Sequence, residues 1–199
     1  PGNHDVNRKE IKRKKAIMKY REEGKLPDIE LCEEGYGHFK ELYASLYGKP
    51  YIPFDVKTIQ NYRIISVDSC LLSVDNQDYG HLSVNFTELT KLDIKKDNMT
   101  NIVIMHHGVE WLQPEEGRRF QHWLADHNVK MVFCGHNHAP GMNVLTEAID
   151  SRGIPRDGIP QFTCGCALSD SYSKPVFLVG EHSDKGSVKV KLYEYRDDS

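Results

Sequence analysis

The stretch TNIVIMHH, residues 100–107, is a short run of β-branched and apolar residues that ends abruptly in two histidines. Such a run predicts a buried β-strand. A second stretch, VKMVFCGHNH at residues 129–138, has the same form. Between them, residues 113–128 predict a helix with Phe120, Trp123 and Leu124 on its inner face. Strand, helix and strand in alternation predict an α/β fold.

The segments on the N-terminal side of this unit add a further strand and three helices. YRIISVDSCLLSV, from residue 62, predicts another buried strand, and residues 85–96 predict a helix with its start signal at Thr87. Residues 35–48 predict a helix with apolar residues at helical spacing. The basic segment at residues 8–23 lacks a wide apolar stripe and predicts a solvated helix, or alternatively a basic wall that faces a phosphate group.

The segments on the C-terminal side predict β-structure. GIPQFTCGCAL at residues 158–168 reads as a strand, and KPVFLVGEH and GSVKVKLYEYR predict an antiparallel hairpin around SDKG, residues 183–186. No repeat or linker divides the chain, so we expect one domain over residues 1–199.

Composition excludes several classes of protein. A net charge of −3 and a pI near 6.4 do not indicate a general nucleic-acid or membrane binder, and no run of apolar residues is long enough to span a bilayer. An odd number of cysteines, several of them inside apolar runs, predicts free thiols and a cytoplasmic location. The single-residue spacing of Cys164 and Cys166 does not favour a metal or redox pair. The five cysteines are Cys32, Cys70, Cys134, Cys164 and Cys166.

Histidines mark the candidate site. Five of the ten histidines lie in three short motifs, and two of these motifs directly follow predicted strands. Ligands collect where strands of an open α/β sheet end, and neutral imidazole binds ions such as Zn, Mn or Fe, with amide oxygen as a complementary ligand. The spacing in GHNH suits two neighbouring ions, and Gly135 would ease the turn before the first ligand. The five histidines are His4, His106, His107, His136 and His138.

Three motifs taken in order resemble the last three motifs of the calcineurin-like metallophosphoesterase family. They are GNHD at residues 2–5, HH at 106–107 and GHNH at 135–138, and the similarity covers most of the chain. The resemblance implies a metallophosphoesterase-like α/β/β/α sandwich with a dinuclear metal centre between its two sheets. It also implies hydrolysis of phosphomonoesters or phosphodiesters.

The resemblance implies a role for each motif residue. Asn3, His106 and His136 would hold one divalent ion, and His138 would hold the other. His4, oriented by Asp5, would contact the scissile phosphate, and His107 would support the ligands. Two ions (Mn, Fe or Zn) would share a hydroxide that attacks phosphorus, as in other two-metal sites.

The start of the chain departs from the family pattern. Family motifs of the form Asp-x-His and Gly-Asp should precede GNHD, but nothing precedes Pro1 in this sequence. We therefore expect an N-terminally truncated domain that lacks its first strands and first two metal motifs, is inactive by itself and holds one ion or none. We expect the missing strands to lie beside YRIISVDSC and NIVIMHH. The gap would be covered by a second copy of the chain through self-association, which we favour, by a separate N-terminal piece, or by rearranged local structure.

Two functions of different classes remain. The first is a metal-dependent phosphoester hydrolase, with a monoester, a diester or a nucleic-acid end as substrate. The basic residues 8–25 favour a polyanion such as nucleic acid, whereas the net charge does not. The second is a phosphoesterase-like fold that serves as a non-catalytic binding or scaffold module. Every family ligand position within this chain is intact, which favours the enzyme.

Overall fold

A six-stranded mixed sheet forms the centre of the molecule in this computed structural model. The structure describes residues 1–25, 27–94, 97–146, 149–150, 152–155, 157–165, 175–183 and 187–195. The described strands are β1 (Phe54–Ile59), β2 (Tyr62–Val67), β3 (Thr100–Met105), β4 (Val129–Cys134), β5 (Gly141–Leu145), β6 (Ile159–Thr163), β7 (Val176–His182) and β8 (Val188–Glu194). The described helices are α1 (Ile11–Glu23), α2 (Ile29–Glu33), α3 (Gly37–Tyr47), α4 (Phe86–Leu89) and α5 (Pro114–Asp126), with short 3-10 turns at Glu34–Tyr36 and Val109–Trp111.

The sheet has the strand order β1-β2-β3-β4-β6-β5. Strands β2, β3, β4 and β6 run parallel, and β1 and β5 pair antiparallel at the two edges. Because β3 and β4 are parallel neighbours, the segments that follow them leave the sheet at the same end. The predicted α/β class and the three predicted strands, β2, β3 and β4, are confirmed. The strands were predicted to be buried, but in β2 and β3 buried residues alternate with more exposed ones, so these two strands are buried on one face only.

One expectation about the sheet is wrong. We predicted that strands would be missing beside the segments that form β2 and β3. Instead β2 is hydrogen-bonded to β1 and β3, and β3 is hydrogen-bonded to β2 and β4. The antiparallel β1, which was not predicted, occupies the position beside β2.

The helix predicted over residues 85–96 is also much shorter than expected. Of its described residues, 85–94, Phe86–Leu89 are helical, and Asn85 rather than Thr87 caps the helix, since its side chain accepts a hydrogen bond from the amide of Glu88. The helix predicted at residues 113–128 is confirmed as α5. It begins with Pro114 after the capping side chain of Gln113, and it buries Phe120 and Leu124 against the sheet.

Helix α1 was predicted to be solvated, but one of its faces is buried. Ile17 and Tyr20 lie in the core, and Arg13 is 0% exposed. The Arg13 side chain donates to three backbone carbonyls, of Cys32 at 3.0 Å, Leu71 at 2.7 Å and Ser73 at 2.9 Å. This guanidinium therefore ties α1 to α2 and to the segment that follows β2.

The predicted C-terminal hairpin is confirmed, with β7 and β8 paired antiparallel as a separate two-stranded sheet. Its turn residues 184–186 lie outside the described residues, as does Cys166. The hairpin lies over the face of the large sheet that α5 does not cover, since a Cβ on Gly180 would be 3.9 Å from the Phe133 ring. A groove of about 310 Å³ remains there, lined in part by Ile59, Ile64 and Ile102.

Within the described residues, no helix combines the length and the apolar character that crossing a membrane requires. The four described cysteines are free thiols, and Cys32, Cys70 and Cys134 are buried as predicted.

Candidate metal centre

Three of the predicted metal ligands converge at the carboxyl end of the sheet. His106 directly follows β3, His136 lies two residues after β4, and Asn3 comes from the turn that precedes α1. The Nε2 atom of His106 is 3.1 Å from the Asn3 Oδ1 and 3.2 Å from the His136 Nδ1. We call these three residues the triad.

Backbone contacts hold the triad together. The amide of Gly135 donates to the carbonyl of His106 at 2.9 Å, which joins the segments after β3 and β4. At Gly2, an added Cβ would lie 3.1 Å from the His106 imidazole, so the turn approaches this ring more closely than most side chains allow. Asn3 itself is 6% exposed, and its amide oxygen faces the His106 ring rather than solvent.

The expected reason for Gly135 is wrong. A Cβ there would be 3.9 Å from its nearest neighbour, which is ordinary contact. Instead, His136 and His138 adopt the left-handed backbone conformation, with φ of 68° and 55° respectively. Residues with a β-carbon rarely adopt this conformation, and such strain tends to occur at functional sites.

The spacing of the triad atoms fits a first-row divalent ion. Two ligands bound about 2.1 Å from a metal are separated by about 3.0 Å in an octahedral site and about 3.4 Å in a tetrahedral one. The measured 3.1 and 3.2 Å lie between these values. One ring nitrogen also carries at most one proton, so His106 cannot donate to both neighbours at once. A cation would satisfy all three lone pairs.

Electrostatics keep the two imidazoles in the ligating form. Burial lowers the pKa of His106 to about 4, and the neighbouring His136 contributes to this shift. Burial likewise lowers the pKa of His136. Both rings are therefore neutral at pH 7, which is the state that binds a metal.

His107 is buried directly behind the triad. Its backbone amide donates to the Ser69 hydroxyl at 2.9 Å, and its Nδ1 donates to the Ser69 carbonyl at 3.1 Å. Its ring centroid lies 4.7 Å from that of His106 and 4.4 Å from that of His136. Its Nε2 has no hydrogen-bond partner among the described residues. The ring packs against both ligands, in line with the supporting role implied for it.

A second group of ligand types, Cys70 with His106 and His107, fits an ion less well. Its three ligand atoms lie within 4.8 Å of one another. However, burial raises the pKa of the Cys70 thiol well above its ordinary value, and its Sγ donates to the Pro1 carbonyl at 3.4 Å. A protonated thiol is a poor metal ligand, so the triad is the better candidate.

The remaining predicted site residues lie at the rim of the triad. His4 and Asp5 are exposed, and the predicted contact between them is not present in the structure. The Asp5 carboxylate instead accepts from the amide of Gly2 at 2.8 Å, because the chain turns back on itself between these residues. His138 is exposed two residues beyond His136 and is not part of the triad.

Trp111 belongs to the site and was not predicted. Its ring centroid lies 4.2 Å from that of His136, at an interplanar angle of 82°. The available signal was its position in GVEWL, immediately after the histidine pair. A large aromatic residue in the segment that follows a ligand strand is a candidate neighbour of the ligand.

Fold and site together define an α/β protein with candidate imidazole and amide ligands gathered at the carboxyl ends of parallel strands. Residues 1–140 match the family described as calcineurin-like phosphoesterase. The chain belongs to this family. Its members in general hydrolyse phosphoester bonds and depend on divalent metal ions.

The comparison with solved structures found a distant similarity. A hypothetical protein from Thermus thermophilus is similar to this chain with a TM-score of 0.44 and 14% identity, over 81% of this chain and 74% of that one. No protein of curated function shows a significant match.

Proposed function

We propose that this protein hydrolyses phosphomonoesters or phosphodiesters with the help of two divalent metal ions. The observation that carries the proposal is the triad, whose ligand atoms lie 3.1 and 3.2 Å apart at the end of the sheet. Family membership supports the general activity. Imidazole and amide ligands suit Mn, Fe or Zn.

Each site residue has a role in this proposal. Asn3, His106 and His136 hold one ion, and His138 contributes to the other. Bound ions supply positive charge against the phosphoryl oxygens and lower the pKa of the attacking water. His4 follows Asn3 directly and has an exposed ring, so it is available to contact the phosphate and to protonate the leaving oxygen. Asp5 stabilises the turn that presents both residues.

The test uses the protein expressed from its complete reading frame. With saturating Mn²⁺, it should hydrolyse p-nitrophenyl phosphate or bis(p-nitrophenyl) phosphate, and the preferred ester distinguishes a monoesterase from a diesterase. Asn3→Ala and His136→Ala should reduce hydrolysis to the rate of the metal-free protein, because each removes a ligand. His38→Ala is the matched control, since His38 is fully exposed on α3.

Two results would count against this assignment. Wild-type turnover in either ligand variant would show that the triad does not hold a required ion. Wild-type protein that binds Mn²⁺ and hydrolyses neither ester would favour the non-catalytic binding module. The free thiols of the described cysteines support a cytoplasmic location for the proposed enzyme.

A further inference from the structure

Trp111 is fixed in place by its backbone and by its neighbours in the chain. Its amide donates to the Gly108 carbonyl at 3.0 Å, and its carbonyl accepts from the Leu82 amide at 3.1 Å. The amide of Val109 donates to the buried side chain of Gln161 on β6 at 2.9 Å. The 3-10 turn Val109–Trp111 is thus anchored both to the large sheet and to the segment before α4.

The Trp111 indole forms one wall around the His136 imidazole. Its ring lies 4.2 Å from that of His136 and 5.5 Å from that of His107. The His106 ring lies on another side of His136, at 5.1 Å. An edge-to-face arrangement of this kind is favourable for aromatic rings and restricts the rotation of both.

The orientation of the His136 side chain depends on such packing more than the orientation of Asn3 or His106 does. Asn3 is buried, and His106 follows β3 directly, but His136 lies in a loop whose residues 138–140 are exposed. Its backbone has φ of 68°, so the local conformation does not favour the ligating geometry by itself. Packing around the side chain has to supply the orientation.

We propose that Trp111 is a positioning residue of the metal centre, which holds the His136 imidazole with its Nδ1 facing the His106 Nε2. The inference rests on the metal site of the proposed function. Groups that orient a metal ligand typically change metal affinity by about 10- to 100-fold when they are replaced. Replacing Trp111 should therefore lower the metal affinity and not only the turnover.

The first experiment uses tryptophan emission. The chain has two tryptophans, Trp111 and Trp123. Trp123 lies on α5 against Phe120 and His127. In the Trp123→Phe variant of the 199-residue chain, where Trp111 is the remaining tryptophan, Co²⁺ should quench the emission with saturation, and His136→Ala should remove this effect. In Trp111→Phe protein, the emission of Trp123 should stay unquenched over the same concentrations.

The second experiment measures Co²⁺ affinity by calorimetry in the complete protein. Trp111→Leu should bind about 10-fold more weakly than wild type. Trp111→Phe retains a flat ring and should recover most of the affinity, and Trp123→Phe is the matched control that should bind like wild type. Circular dichroism and the melting temperature verify that each variant is folded.

The outcomes separate this inference from the proposed function. Wild-type affinity in Trp111→Leu, or emission of Trp111 that Co²⁺ does not quench although calorimetry shows binding, overturns the role of Trp111 alone. Wild-type protein that binds no Co²⁺ overturns the metal site itself, and with it the proposed function.

Discussion

His4 and Asn3 are adjacent in the sequence but point to different environments. Asn3 is buried with its amide 3.1 Å from the His106 ring, whereas His4 is exposed and belongs to no contact within the triad. One turn therefore presents the proposed ligand and the proposed reactive group side by side. A substitution at each position should separate metal binding from catalysis.

His4→Asn should lower turnover by roughly 100-fold or more, the usual contribution of a positioned acid or base, while metal content stays near that of wild type. Elemental analysis of the purified variant beside steady-state kinetics measures both quantities. Asn3→Ala is the comparison and should lose metal and activity together. Parallel loss of metal and activity in His4→Asn would instead make His4 a metal ligand.

At the scale of elements, Arg13 shows how a charged side chain can serve the core. Its three carbonyl partners come from residues 19 to 60 positions away. Each of these carbonyls is buried, so replacing Arg13 with an apolar residue leaves acceptors without donors. The position of α1, and of the turn before it, depends on this side chain.

Arg13→Leu should lower the free energy of unfolding by about 3 kcal/mol, because several buried hydrogen bonds to a charged group are lost at once. Urea denaturation followed by circular dichroism measures the change. Lys12→Leu, at the exposed neighbouring position of the same helix, should change stability by less than about 0.5 kcal/mol. Equal effects of the two variants would refute the structural role of Arg13.

Elements differ in how far the sequence predicts them, for identifiable physical reasons. Strands β2, β3 and β4 are parallel and central. Their segments are therefore rich in apolar residues and could be recognised as strands from the sequence. The edge strands β1 and β5 were missed because they bury little: β5 has four exposed residues out of five. The buried face of α1 was missed because Arg13 reads as a solvated residue, and its partners are distant in sequence.

The candidate site, like the fold, was predicted in part from the sequence. The ordered motifs pointed to Asn3, His106 and His136, and the structure brings these three side chains together. The contact between His4 and Asp5 was not found, since the Asp5 carboxylate accepts from the nearer Gly2 amide. Trp111 was not assigned, because its position after the histidine pair makes it a candidate only, and its contact with His136 depends on the tertiary packing of two separate loops.

At the scale of the whole molecule, the large sheet is covered unequally on its two faces. One face is buried against α5. Among the described residues, the other face carries the β7–β8 hairpin beside a groove, and α3 with its aromatic side chains lies near the end of the sheet at which Ile104 is found. Ile59 and Ile104 remain 55% and 41% exposed on that face. Apolar surface of this kind commonly marks an interface. We propose that the two sheets are the inner layers of an α/β/β/α sandwich and that this face mediates self-association.

Light scattering after size-exclusion chromatography should show that the 199-residue chain self-associates with increasing concentration. Ile59→Asp places a charge on the groove and should shift the protein towards monomer. Ile11→Asp is the matched control, since Ile11 is 67% exposed on α1. A chain that stays monomeric at all concentrations, or an equal response of both variants, would rule out this interface.

The contact between Asn3 and His106 joins residues 103 positions apart, so the triad exists only when the turn, α1 and the sheet are all in place. Occupancy of the site and folding of the chain are therefore thermodynamically linked. A ligand at about 100 times its dissociation constant adds about 2.7 kcal/mol to the free energy of unfolding if it binds the native state alone. By the same linkage, a change that loosens α1 weakens ligand binding while most of the molecule is still folded. The affinity of the site thus reports on the integrity of the helix that lies next to it.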